Sequence, residues 1–232
     1  MIRDNPPTES VVIAQQKLGE SREPVRVPNT FRKGTPAEHY AAIIRNLRLL
    51  NRESDAPRCV GVTRVPGGSA QSVVATNLAV RLAQLTDDRV LLVAANAHNP
   101  TIYSTFAQKR QRVTSLYDIL RDEGTLSDAV LTGAGDNLFI LAVRPQRTAT
   151  QEDSRLIRFA NLLEDMKQNY EYVIFDLPDA SDMTPCFDFA VELDGVVLEV
   201  EASRVRHASA RWVERQLRHV EATVLGSILT QF

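Results

Sequence analysis

Cys59-Val60-Gly61-Val62-Thr63-Arg64-Val65-Pro66-Gly67-Gly68-Ser69-Ala70-Gln71-Ser72-Val73-Val74-Ala75-Thr76-Asn77-Leu78-Ala79 is the stretch that decides the fold. Cys59 to Thr63 reads as a short buried strand. A Pro-Gly-Gly turn follows, and from Ser72 an apolar helix is expected to run to about Leu85. Strand, glycine-bearing loop and helix is the arrangement in which backbone N–H groups at a helix start can cradle an anion. Many strand-to-helix turns carry two glycines, so the loop alone does not define a nucleotide site.

Outward from this unit the pattern repeats. Val90–Val93, Leu138–Ala142, Tyr172–Asp176, Gly195–Val200 and Val224–Leu229 read as further strands. Helices are expected at 115–121, 125–131, 151–169 and 206–220. The strands are continuous β-branched and aliphatic runs, as expected of strands buried on both faces of a parallel sheet. Their alternation with helices predicts a three-layer, doubly wound, mostly parallel α/β fold. Upstream, Thr35-Pro36-Ala37-Glu38 has the form of a helix start, with Thr35 as cap and Pro36 in the first turn. Ile43, Leu47 and Leu50 continue it as an apolar stripe. Residues 1–35, broken by Pro6, Pro7, Pro24 and Pro28, read as a partly disordered tail or linker, with a turn or two of helix at Val11–Leu18. The division is therefore a tail at 1–35 and one α/β domain at 36–232.

The composition, 44% hydrophobic and 24% charged in 232 residues, suits one such domain. The formal net charge is -2, from 27 Lys and Arg against 29 Asp and Glu, and gives no reason to expect nucleic acid as a partner. Cys59 and Cys186 form no paired motif and read as reduced, partly buried thiols. His39, His98, His207 and His219 have no metal-ligand spacing. No run approaches the ~18 apolar residues of a spanning helix, and the polar N-terminus is no secretory signal. A cytoplasmic protein is expected, peripheral to the inner membrane through a partner.

The loop resembles that of the bacterial tyrosine kinases of polysaccharide export, within the deviant Walker ATPases of the MinD/ParA type. Their loop reads PGEGKST followed by VAxNLA. Ser72, Val74, Ala75, Asn77, Leu78 and Ala79 fit that register, which puts Gln71 on the lysine, Ala70 on the last glycine and Val73 on the threonine. Further stretches match in order. They are Glu38-His39-Tyr40 with Asn46-Leu47-Arg48, Val90–Val93 with Pro100, and Ser115–Leu120. Tyr170–Pro178 and Asp194–Val200 complete the series. The resemblance spans about residues 36–232 and implies a P-loop NTPase-like fold.

What it implies for chemistry is less complete. The family's lysine places a cation on the β- and γ-phosphates, and Gln71 brings no charge. Ala70 adds a Cβ where the backbone should approach phosphate. The family's second acidic motif, DxDxR, falls on Ala94, Asn96 and His98, so both carboxylates are missing. Two groups remain. Ser72 stands at the magnesium-ligand position, although it equally suits a helix cap. Asp176 ends a buried strand, as a Walker B acid should. The remnant nucleotide site is thus Gly68, Ser69, Ala70, Gln71, Ser72, Val73 and Asp176, with Ser72 and Asp176 as ligands if magnesium is bound. ATP or ADP with Mg²⁺ is one expectation, and an inherited turn that no longer binds nucleotide is the other. The family's assembly motif, a glutamate and two arginines, retains Glu38, while its arginine positions fall on Ala41 and Ile44. Arg45 and Arg48 lie nearby and are interface candidates, or a solvated helix face. No tyrosine lies beyond Tyr172, so the family's tyrosine-rich substrate tail is not recognised.

Three functions follow. The first is a non-catalytic, pseudokinase-like component of exopolysaccharide or capsule synthesis and export. It would dock on the cytoplasmic end of a membrane chain-length or co-polymerase protein, as a monomer, homodimer or higher oligomer. The second is an active tyrosine kinase or ATPase that uses relocated residues such as Lys109. The third is a cargo-positioning ATPase, whose signature lysine would fall close to Thr63 or Arg64.

Overall fold

The structure, a computed structural model, describes residues 12–15, 40–41, 43–45, 47, 58–68, 73–98, 101–103, 114–133, 136–143 and 154–230. Its strands are β1 (Val12–Gln15), β2 (Cys59–Arg64), β3 (Val90–Ala94), β4 (Leu131–Thr132), β5 (Leu138–Leu141), β6 (Tyr172–Asp176), β7 (Gly195–Glu201) and β8 (Val224–Thr230). Its helices are α1 (Val73–Leu85), α2 (Leu116–Leu120), α3 (Leu126–Ala129), α4 (Ser154–Asn169), α5 (Met183–Ala190) and α6 (His207–His219). Tyr40, Ala41, Ile43, Ile44, Arg45 and Leu47 are also helical, and Tyr40, Ile43, Ile44 and Leu47 are buried.

One eight-stranded sheet runs in the order β1-β8-β7-β2-β6-β3-β5-β4. From β8 to β5 the strands are parallel, and β1 and β4 close the two edges antiparallel. Every residue of β2, β3, β6 and β7 is buried, which is why these segments read as unbroken apolar runs. Gly61 is a packing requirement in β2: a Cβ there would stand 2.5 Å from the Leu177 Cδ1.

The helices cover the sheet through the spacing of their apolar residues. α4 buries Phe159, Leu162, Leu163 and Met166, three and four apart. Phe159 meets Phe175 of β6 at 5.8 Å and Phe189 of α5 at 4.9 Å, both edge-on. Arg58 closes the end of α4, donating from Nη2 to the carbonyls of Lys167 and Tyr170 at 3.1 and 2.9 Å.

Three local expectations are corrected. Val12–Gln15 is not a turn of helix in a tail but an edge strand, with Val12 opposite Leu229 and Gln15 opposite Gly226. Its ladder partner lies at the other end of the sequence, so local pattern could not show it. Leu131 does not end a helix but begins β4, paired with Ile140. Finally, α5 was not expected. Pro185 obscured it in the sequence, yet proline is tolerated in a first helical turn, and Phe187 and Phe189 bury the helix.

The Asp194 carboxylate, just before β7, ties the start of β2 to α4. Asp194 Oδ2 accepts the backbone N–H groups of Arg58 and Cys59 at 2.8 and 2.7 Å, while Oδ1 accepts from Lys167 Nζ at 3.1 Å. Burial alone would lower the Lys167 pKa, but the hydrogen bond and charge of Asp194 outweigh it and raise it. Asp194→Ala is expected to destabilise the fold by about 2–3 kcal/mol, the scale of hydrogen bonds to a charged group. The midpoint of urea unfolding checks this.

Candidate functional site

Parallel strands present their carboxyl ends on one edge, where ligands of open α/β sheets bind. Here β2, β6 and β3 are adjacent, and their register sets Val62 beside Asp176 and Asp176 beside Ala94. The sequence-chosen positions Asp176 and Ala94 are therefore neighbours, both buried. The Asp176 carbonyl accepts from Ala95 N at 3.0 Å, extending the ladder past the strands.

The loop after β3 is held by its own side chains. Asn96 is buried, and its Oδ1 accepts from His98 N at 3.1 Å, making a compact turn. His98 is exposed, with Nε2 at 3.8 Å from Asp182 Oδ2. Tyr117 donates its hydroxyl to the Ala95 carbonyl at 2.6 Å. Tyr117 is set by α2, whose start is a reciprocal cap: Ser115 N donates to Asp118 Oδ2 at 2.8 Å and Asp118 N to Ser115 Oγ at 3.3 Å. The Ser115–Leu120 stretch thus steadies the turn that carries Asn96 and His98.

On the other side of Asp176, β2 ends in Arg64, which is buried. Its Nε and Nη2 donate to Asp179 Oδ1 at 2.9 and 2.7 Å. Arg64 is the Cα partner of Glu199, and Glu199 and Glu201 of β7 are both buried. Glu201 Oε1 lies 3.0 Å from Arg204 Nε. Its other oxygen reaches the glycine turn, because a Cβ at Gly68 would sit 3.2 Å from Glu201 Oε2. Gly67 has φ +105°, a conformation open to glycine and rare for other residues. Thr63 donates to the Pro178 carbonyl at 2.7 Å and receives the Cys186 thiol at 3.3 Å.

Of the remaining sequence-chosen residues, Gly68 ends the described part of the loop and Val73 opens α1. Ser69, Ala70, Gln71, Ser72, Glu38, Arg48 and Lys109 lie outside the described residues. Arg45 is exposed on its helix. Asp179, Glu199, Glu201 and Tyr117 were not singled out from the sequence. Glu199 and Glu201 carried a signal, since two acids in a run otherwise made of buried aliphatics must be compensated.

The fold is that of a P-loop NTPase-like α/β protein. A family model for an AAA domain matches residues 58–204, and the chain belongs to that family, alongside the bacterial tyrosine kinases of the MinD/ParA-type P-loop superfamily. It is 25% identical to the tyrosine-protein kinase CpsD of Streptococcus agalactiae, over 84% of this chain and 82% of that protein. Against the succinoglycan biosynthesis transport protein ExoP of Rhizobium meliloti it is 23% identical, over 84% of this chain and 25% of ExoP. The kinase domain of the Escherichia coli tyrosine kinase ETK superposes with a TM-score of 0.72 at 18% identity, covering 92% of this chain and 83% of that domain. Among the described residues no helix is long and apolar enough to cross a membrane.

Both cysteines are buried and unpaired with each other. Burial raises the thiols from 9.0 to about 12, helped at Cys59 by the negative charge of Asp194 and opposed at Cys186 by the bond to Thr63. Below pH 9 both states hold protonated thiols. Above it the unfolded chain ionises first, so this part of the stability is lost as pH rises toward about 12. Thermal melting is expected to fall over that range, and less steeply in a Cys59→Ala/Cys186→Ala variant. At pH 8 a thiol reagent is expected to label neither cysteine until denaturant is added.

Proposed function

We propose that this protein is a non-catalytic, kinase-like component of an exopolysaccharide or capsule synthesis and export system, which scaffolds or regulates a membrane co-polymerase. The polysaccharide setting is supported by relatives such as ExoP, whose name records succinoglycan biosynthesis and transport. ExoP is about four times longer than the matched part, which suggests that this domain works beside other domains or chains.

The observation that carries the non-catalytic reading is the charge arrangement at the strand ends. Arg64 is committed to Asp179, Glu201 lies against Gly68, and Ala94 puts a methyl beside Asp176. A triphosphate needs cations and bare N–H groups there. The described residues add Glu199 and Glu201, two buried acids beyond the Asp176 that a magnesium ion would use. Gln71 in place of the loop lysine, with Ala94 and Asn96 in place of the second motif's carboxylates, supports the reading that no magnesium triphosphate is held here.

Calorimetric titration of the protein with ATP, with and without Mg²⁺, is expected to show binding no tighter than about 1 mM. Gln71→Lys alone is expected to leave ATP hydrolysis at background, because Ala94 and Asn96 still supply no carboxylate. Micromolar binding with phosphate transfer to tyrosine would instead identify an active kinase, in which Asp176→Ala should abolish turnover.

A further inference from the structure

We propose that α6 docks this protein directly onto an anionic membrane surface. The inference goes beyond the proposed function, since it requires neither a nucleotide nor a partner protein.

α6 is the crossover between β7 and β8. Val213 and Leu217 are its buried residues, and Ala210 and Val220 pack partly against the same core. At 100° per residue, these positions fix the opposite face, which holds His207, Ala208, Arg211, Trp212, Arg215, Arg218 and His219. All seven are exposed. Arg204 and Arg206, in the approach to the helix, are exposed too. Among the described residues, acids near this face are few. Glu214 lies on its flank and accepts from Arg218 at 3.3 Å, Glu201 is buried against Arg204, and Glu221 lies past the helix end.

A chain with a net charge of -2 therefore gathers five arginines along one helix and its lead-in. The overall balance does not show this clustering. Trp212, a large aromatic that is 40% exposed, borders the arginines on one side of the same face. Basic side chains beside an exposed tryptophan suit contact with the interfacial layer of an anionic bilayer, where indole rings sit at headgroup level. The arginines meet lipid phosphates bidentately, and the indole sits between apolar chains and water. An acidic polypeptide would satisfy the arginines, but on a convex helix face it offers Trp212 no apolar layer to enter. That difference favours the bilayer.

Trp212 is the only tryptophan in the sequence, so its fluorescence reports on this face alone. The test mixes the full chain with phosphatidylcholine vesicles, with and without one part in three of phosphatidylglycerol. The expected result is a blue shift of emission and loss of acrylamide quenching with the anionic vesicles only, reversed by salt. Arg211→Ala/Arg215→Ala should weaken co-sedimentation with anionic vesicles by about 25-fold, at roughly five-fold per arginine, with unchanged circular dichroism and melting. Equal binding to both vesicle types, no binding, or an unaffected double variant would overturn the proposal. So would a fluorescence shift produced by polyglutamate and not by vesicles, which would give the face to an acidic protein segment. Because the vesicles carry no protein, failure here leaves docking to a membrane co-polymerase untouched, and ATP binding would leave this inference untouched.

Discussion

The ladder between β2 and β6 is the constraint on which the site depends. Its register continues past both strands, with Leu177 N on the Val62 carbonyl and Ala180 N on the Arg64 carbonyl, each at 3.0 Å. The Thr63 hydroxyl adds a bond to Pro178 between them. The chain after β6 is thereby laid alongside the end of β2, which brings Asp179 under the Arg64 guanidinium. Arg64 is largely removed from water, and a cation in that position needs a partner. The geometry that defines the strand-end edge thus also commits one of its cations.

The other side of β2 imposes a similar condition. The β7 ladder sets Glu199 beside Arg64, and two residues on Glu201 reaches the glycine turn. Loop, strand end and neighbouring acids are parts of one charge arrangement, and changing a single residue leaves the remainder in place. The edge keeps the strand order of a P-loop NTPase-like fold, with Glu199 and Glu201 buried on the β7 side of Arg64. Directly after β7, α6 carries the opposite sign, with arginines on a surface exposed to solvent.

Much of the fold was legible because fully buried parallel strands and crossover helices leave opposite sequence patterns. The runs at Cys59, Val90, Tyr172 and Gly195 could hardly be anything but core strands, and the stripes at α4 and α6 follow helical spacing. What escaped is what depends on distant partners. Val12–Gln15 becomes a strand only because β8 offers an open edge, and α5 forms around Pro185 because Phe189 has Phe159 to pack against. The site was half legible. Asp176, Ala94, Asn96 and His98 could be located by register with a family pattern. Asp179 could not, because its role comes from the path of the chain after β6. Glu199 and Glu201 were visible as misfits in an apolar run but gave no sign of what they would face.

The order of the strands also has a consequence for biosynthesis. β2 lies at the centre of the sheet, yet both its neighbours, β6 and β7, are made long after it: Cys59 waits for Val173 and Val60 for Gly195. While the ribosome adds the intervening chain, a β-branched segment destined for the deepest layer has no partner on either side. Sheets that pair so non-locally fold slowly, and unpaired strands of this kind are the ones chaperones hold. The nascent chain is therefore most vulnerable between the emergence of β2 and that of β7, and a pause in translation there would lengthen its exposure.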